Sequence, residues 1–387
     1  MSSPLGFSKT HKACATISAA SFSPGPGGNL PDDLITQILV RLPVRYLVQF
    51  ELVCKAWLHK IKSPKFIKMH LKIAADRESP MSFLIRTRKF GLRGEVIFRG
   101  INWPEKNERD EDRILPCRFS HKYFGPVVLG VANGIVCATN LGDKSIFLWN
   151  PATLKSKKLP PPIIDLSNCL LSLGFGFDSE DDYKVVRLVM YKKFAFVKAE
   201  VYSANKNCWK EINVGVNFFV KNLKCDICLD GMLYWSSSEN MVTYNLDTEE
   251  FNNQIELPKV EVIGRTVRKI VEFMDSFALS VHRHGDSECN QEISFWVLDD
   301  ASGKGSWSKK FSFEMHPEFP LMPRIFLHLK NGSVVSTSGS SDSNQNLVLY
   351  DPRTRKLETI IVGTVHSPKV EGLYSYTESL VSIPGSE

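Results

Sequence analysis

The chain has 387 residues, of which 43% are hydrophobic and 23% charged, and it carries a formal net charge of +6. This composition fits a folded chain with room for a sizeable core and argues against wholesale disorder. No apolar run approaches the roughly 20 residues that cross a bilayer, so membrane association is not expected.

Residues 1–28 are small, polar and Ser-rich, with no acids between positions 2 and 24 and no contiguous apolar core. They read as a disordered leader rather than a secretory signal. The nine cysteines form an odd, scattered set, which points to a reducing compartment, cytosol or nucleus.

Residues 29–72 change character. Pro31, Asp32 and Asp33 are helix-starting residues, and Leu34, Ile35, Ile38, Leu39 and Leu42 recur at helical spacing. Pro43 is expected to end that helix, because it has no N–H to donate and disfavours helical geometry at Leu42. A second stripe runs through Val44, Leu47, Val48, Phe50 and Leu52. A third runs through Val53, Trp57, Leu58 and Ile61 and is broken by Pro64, after which Phe66, Ile67 and Leu71 resume the pattern. Three short helices of this size have little interior, so part of their apolar surface must face something else. Periodicity alone fits a core packed against the rest of the chain as well as it fits a docking face.

The string Leu30-Pro31-x-x-Leu34-Ile35-x-x-Ile38-Leu39-x-Arg41-Leu42-Pro43-Val44, followed by Leu47, Phe50, Val53-Cys54-Lys55-x-Trp57 and Pro64-x-Phe66, resembles an F-box. The resemblance covers about a ninth of the chain. It implies docking onto the Skp-type adaptor of an SCF cullin-RING ubiquitin ligase and, through that adaptor, onto cullin. It also implies that Leu30, Pro31, Leu34, Ile38, Leu42, Pro43 and Val44 form or support the adaptor-binding face, with Trp57 and Phe66 holding the helical bundle together. The segment holds eight Lys or Arg against Asp32, Asp33 and Glu51. A basic surface steers encounters with acidic partners. No RNA-binding signature or metal-finger spacing accompanies it, so nucleic acid is not an expected partner.

From about residue 80 to 385 the pattern is all-β. Runs rich in Val, Ile, Phe, Tyr and Trp alternate with Gly, Asn, Asp, Ser and Pro clusters. Strand-then-turn phrases recur around Trp149, Tyr202, Tyr244, Val297 and Tyr350, at intervals of 53, 42, 53 and 53 residues. Asn133-Gly134, Asp230-Gly231 and Asn331-Gly332 signal an earlier tight hairpin in three of the units. Two hairpins in ~50 residues make four strands, the arithmetic of a β-propeller blade of the kelch size class. Five units are visible. A sixth would be closed by a strand at 81–86 pairing near the run 373–383.

Several phrases resemble the F-box-associated domain of plant F-box proteins: Gly134-Ile135-Val136-Cys137, Leu148-Trp149-Asn150-Pro151-Ala152-Thr153, Gly174-Phe175-Gly176-Phe177-Asp178, Asp182-Tyr183-Lys184-Val185-Val186 and Asp230-Gly231-x-Leu233-Tyr234-Trp235. The kelch likeness is weaker, because the Gly-Gly pair of that repeat is absent. The expected fold is therefore a small three-helix F-box followed by an all-β, propeller-like domain.

Catalytic patterns are thin. Cys225-x-x-Cys228 has redox or zinc spacing but lacks a second pair. His282, His284, Asp286, Glu288 and Cys289 cluster in what reads as a solvated loop. Gly174-x-Gly176 lacks the third glycine of a dinucleotide site. No Gly-x-Ser-x-Gly elbow occurs. No metal or cofactor is expected.

The reading is a non-catalytic receptor subunit. The F-box helices join the ligase core, and the β domain presents an unidentified target protein for ubiquitination. Candidate target loops are Asn102–Arg113, Lys192–Lys198, His282–Asn290 and Thr337–Asn346. The alternative is a non-ligase propeller scaffold, or a glycan-binding module in which Trp103, Trp235, Trp296 and Trp307 offer stacking faces. Core filling is the usual role of such tryptophans.

Overall fold

The computed structural model describes residues 30–76, 81–88, 96–103, 113–115, 126–140, 142–164, 169–191, 196–215, 218–220, 222–237, 239–260, 265–273, 276–284, 291–299, 306–315, 327–329, 331–337, 347–360 and 369–386. The leader 1–28 lies outside them. The chain forms two compact units, one ending at Leu39 and the other running from Val40 onward.

Four helices come first: α1 (Asp32–Leu39), α2 (Val44–Phe50), α3 (Lys55–Ile61) and α4 (Pro64–Ala75). The Pro31 carbonyl accepts the N–H of Leu34 and of Ile35, so Asp32 and Asp33 occupy the first turn. There their carboxylates complement the helix dipole. Helix α1 ends four residues before Pro43, which instead sits at the N-cap of α2.

The fourth helix corrects the three-helix expectation. Pro64 does not break a helix; it opens α4, where its missing N–H would have no partner anyway. Ser63 caps that turn by accepting the Phe66 N–H at 3.3 Å.

The β region folds into six four-stranded antiparallel sheets, the blades of a β-propeller. Blade 1 is Val127–Ala132, Ile135–Thr139, Ile146–Asn150 and Lys155–Lys158. Blade 2 is Leu170–Phe177, Tyr183–Tyr191, Phe196–Ser203 and Cys208–Ile212. Blade 3 is Ile227–Leu229, Met232–Ser236, Asn240–Asn245 and Glu250–Glu256. Blade 4 is Arg265–Phe273, Ser276–His284, Gln291–Leu298 and Trp307–Glu314. Blade 5 is Leu327–His328, Val334–Thr337, Leu347–Asp351 and Lys356–Ile360. Blade 6 completes the ring with strands from both ends of the β region: Lys369–Ser375 innermost, then Met81–Arg88, Val96–Trp103 and Arg113–Leu115. The sixth blade is thus closed as the sequence suggested, with Leu84 opposite Tyr374 and Ile85 opposite Leu373. The innermost strands of successive blades touch around the ring, and blade 6 touches blade 1.

The repeated phrases are the turns between third and fourth strands. Leu154, Asn207, Glu249 and Arg355 stand at equivalent places in them, and all have positive φ, between 52° and 61°. Each turn therefore closes through one left-handed residue, whatever its side chain. Asn133-Gly134 and Asp230-Gly231 have both residues at positive φ, as a tight type I′ hairpin requires.

These two classes of turn share one end of the propeller. Ser179, between the first two strands of blade 2, donates its N–H to Asp247, between the last two of blade 3, at 2.8 Å. The segment 376–386 runs across the same end. Asn150 Nδ2 donates to the carbonyls of Ser379 and Val381, and Tyr183 donates its hydroxyl to Ser382 O at 2.6 Å. Ser379 Oγ donates to Asn133 O, and Lys157 to Pro384 O. The turns between second and third strands, and the connections between blades, leave from the opposite end.

Candidate functional site

Helix α1 exposes one apolar edge. Leu30, Leu34 and Ile38, four residues apart, are 56%, 50% and 53% exposed, whereas Leu39 is buried. A spacing of four keeps Leu34 and Ile38 on one face of α1, and Leu30 lies two residues before its start. Pro31 is also exposed.

In the second unit, Val44 and Leu47 of α2 are fully buried, while Tyr46, Val48, Leu52 and Val53 face solvent, Leu52 at 88%. Pro43 is exposed and Leu42 partly so. His70 of α4 lies 2.9 Å from the Leu42 carbonyl and fixes the backbone just before Pro43. Phe66 is buried, and Trp57 packs edge-on against Phe50 at 5.4 Å. Of the eleven strongly exposed large hydrophobics among the described residues, seven fall between positions 30 and 53. Scattered singly they would need no explanation; concentrated in one short stretch of sequence they mark, in each unit, apolar surface built to be covered.

Salt-bridged Lys68 and Asp181, 2.5 Å apart, join α4 to the turn between the first two strands of blade 2. The helix therefore stands at the propeller end that carries the 376–386 strap. Three of the four candidate target loops, 192–198, 282–290 and 337–346, connect second and third strands and so belong to the other end. The fourth, 102–113, joins the third and fourth strands of blade 6 and belongs to the α4 end. Most residues of these loops lie outside the described set.

The catalytic patterns resolve into packing. Cys225 and Cys228 pack between blades 2 and 3, and burial pushes their thiols up to about 11 and about 12, so neither forms a thiolate at neutral pH. An added Cβ at Gly174 would come within 2.5 Å of Leu233, and one at Gly176 within 2.4 Å of Cys228 Sγ. These glycines let blades 2 and 3 approach closely.

His282 is not in a solvated loop: it is buried in the second strand of blade 4. Its partner is His328 of blade 5, with the two Nε2 atoms 3.1 Å apart and Ser280 Oγ within 3.1 Å of each. Sequence reasoning missed His328 because it is 46 residues away and meets His282 only through the ring. His284 ends the same strand, and the other cluster members, Asp286, Glu288 and Cys289, lie outside the described residues. No group of three metal-ligating side chains occurs among the described residues.

Among the tryptophans, Trp235 is buried and donates to Ser172 Oγ at 3.0 Å, while Trp307 donates to Glu256 O. The side chain of Trp103 lies outside the description.

One unit carries an exposed apolar helix edge and the other a six-bladed propeller, the make-up of a two-part protein. Family comparison agrees: the F-box domain model matches residues 28–69, and the F-box associated beta propeller domain model matches residues 127–383. The chain belongs to the F-box proteins that carry an F-box associated β-propeller domain. It is 29% identical to an F-box/kelch-repeat protein of Arabidopsis thaliana over 303 residues, covering 73% of this chain and 79% of that one. It is 23% identical to the F-box protein CPR1 of Arabidopsis thaliana, covering 86% of this chain and 84% of that one. No helix among the described residues is long and apolar enough to cross a membrane.

Proposed function

We propose that this chain is the substrate receptor of an SCF-type cullin-RING ubiquitin ligase, working in the cytosol or nucleus. The observation that carries the reading is the exposed edge Leu30, Leu34 and Ile38 within the matched F-box. Together with Pro31, Leu42 and Pro43 these residues contact a Skp-type adaptor, and through it cullin. Val44, fully buried, supports that surface from beneath. A few apolar anchors seated in a partner groove supply most of the affinity in such helix-mediated contacts. The propeller end away from α4 receives a target protein, and the chain contributes proximity rather than bond-making chemistry. Burial of Trp235 argues against a glycan-stacking role for that residue.

The test is binding of the purified chain to a Skp-type adaptor, wild type beside Leu34→Asp/Ile38→Asp. Unpaired carboxylates pressed into an apolar contact cost several kcal/mol each, so the double variant is expected to lose binding while its circular dichroism is unchanged. A folded wild-type chain that does not bind would overturn the reading.

A further inference from the structure

The innermost strands of the propeller are wetter than the strands behind them. Ile227–Leu229 is partly exposed along its whole length and Val127–Ala132 at four of its six positions, whereas Ile135–Thr139 and Ile146–Asn150 of blade 1 are buried throughout. That contrast defines a solvent-reached axial channel. Lys224 leads into the innermost strand of blade 3, bridging Leu173 of blade 2, and points across the channel. Its Nζ sits 5.0 Å from the centre of the Tyr374 ring of blade 6, three blades round the ring. Asp226, two residues on, accepts the N–H of Ser236 at 2.8 Å and of Ile270 at 3.4 Å, which sets its carboxylate beside Lys269 on the innermost strand of blade 4.

Among the described residues, charge does not balance at this level: one carboxylate, Asp226, acts on both Lys224 and Lys269. The nearest innermost-strand acid on blade 6, Glu371, is already ion-paired with Arg86. An excess cation held in a confined channel is costly unless an anion joins it. We propose that the axial channel is a binding site for a small oxyanion of the phosphate class, held between Lys224 and Lys269. Two ammonium groups from neighbouring blades suit an ion with several acceptor oxygens.

The electrostatics agree. Burial, followed by the charge of Lys269, lowers the Lys224 ammonium to about 8. Burial also lowers Lys269, against the opposing pull of Asp226. Both lysines are thus under pressure that an anion would relieve. The inference stands independently of the adaptor reading.

The experiment is a titration of the full-length chain with inorganic phosphate against chloride of matched ionic strength, followed by thermal shift and by 31P line broadening. Wild type is expected to show a saturable rise in Tm. Lys269→Met and Lys224→Gln are expected to weaken the apparent phosphate affinity by about tenfold or more. Lys269→Arg should retain it, and the outer-strand control Lys310→Met should match wild type. In phosphate-free buffer, Lys224→Gln should be no less stable than wild type, because the excess ammonium is removed while Asp226 keeps Lys269. A wild-type response no greater than chloride would overturn the proposal. So would an unchanged response in Lys269→Met, or a lowered Tm of Lys224→Gln without phosphate. If Lys269→Met does not fold, Lys224→Gln and the phosphorus line width decide.

Discussion

Arg187 and Glu200 stand directly opposite each other on the second and third strands of blade 2, and their side chains form a sealed ion pair, 2% and 0% exposed. The second Glu200 oxygen accepts the N–H groups of Ile163 and Ile164 at 2.8 and 3.2 Å, and Arg187 donates to the Ile164 carbonyl at 3.1 Å. The pair thereby fastens the connection that arrives from blade 1. Removing one partner strands the other charge in the core. Glu200→Ala is expected to cost about 3–5 kcal/mol in urea denaturation, and Arg187→Met/Glu200→Leu markedly less. Equal costs for the single and the double would refute this account.

Asn150 ends the third strand of blade 1 and holds the 376–386 strap through two donated bonds, while its oxygen accepts the N–H of Ala152 at 2.9 Å. Asn150→Ala leaves buried carbonyls unpaired, and a loss of about 1–3 kcal/mol is expected. Hydrogen exchange should show faster opening at Ser379 and Val381 than in blade 3.

Burial, then the neighbouring His282 and Lys269, hold the His328 imidazole well below its usual 6.5. The folded state keeps this ring neutral, so the unfolded state binds the extra proton. Stability from this source is present above about 6.5 and declines as pH falls below that value toward the folded pKa. A Tm profile between pH 5 and 8 should slope downward on the acidic side. His328→Gln should flatten it, and an unflattened slope would place the acid sensitivity elsewhere.

Within the F-box, binding and stability should separate by burial. Leu47→Ala, fully buried, is expected to cost about 2–5 kcal/mol. Leu34→Ala, half exposed, should stay within about 0.5 kcal/mol of wild-type stability while weakening adaptor capture. Equal destabilisation by the two would mean that Leu34 is a core residue rather than an anchor.

Much of this molecule is written in local sequence. The α1 start at Pro31-Asp32-Asp33, the hairpin at Asn133-Gly134 and the turn phrases after Trp149, Tyr202, Tyr244 and Tyr350 depend on backbone preferences that act over a few residues. The count of four strands per unit followed from them. Pro64 looks like a helix break in the sequence because the same ring that disrupts a helix interior also suits a helix start, and only the Ser63 cap distinguishes the two. The pairing of His282 with His328, the clamp of Glu200 on Ile163 and the meeting of Lys224, Asp226 and Lys269 were set by ring closure. Propeller geometry brings blades together through residues tens of positions apart, and no short-range pattern encodes which side chains then face one another. Local sequence determined the helices, the turns and the apolar edge of α1; tertiary structure decided burial and charge, because desolvation depends on every neighbour the folded ring supplies.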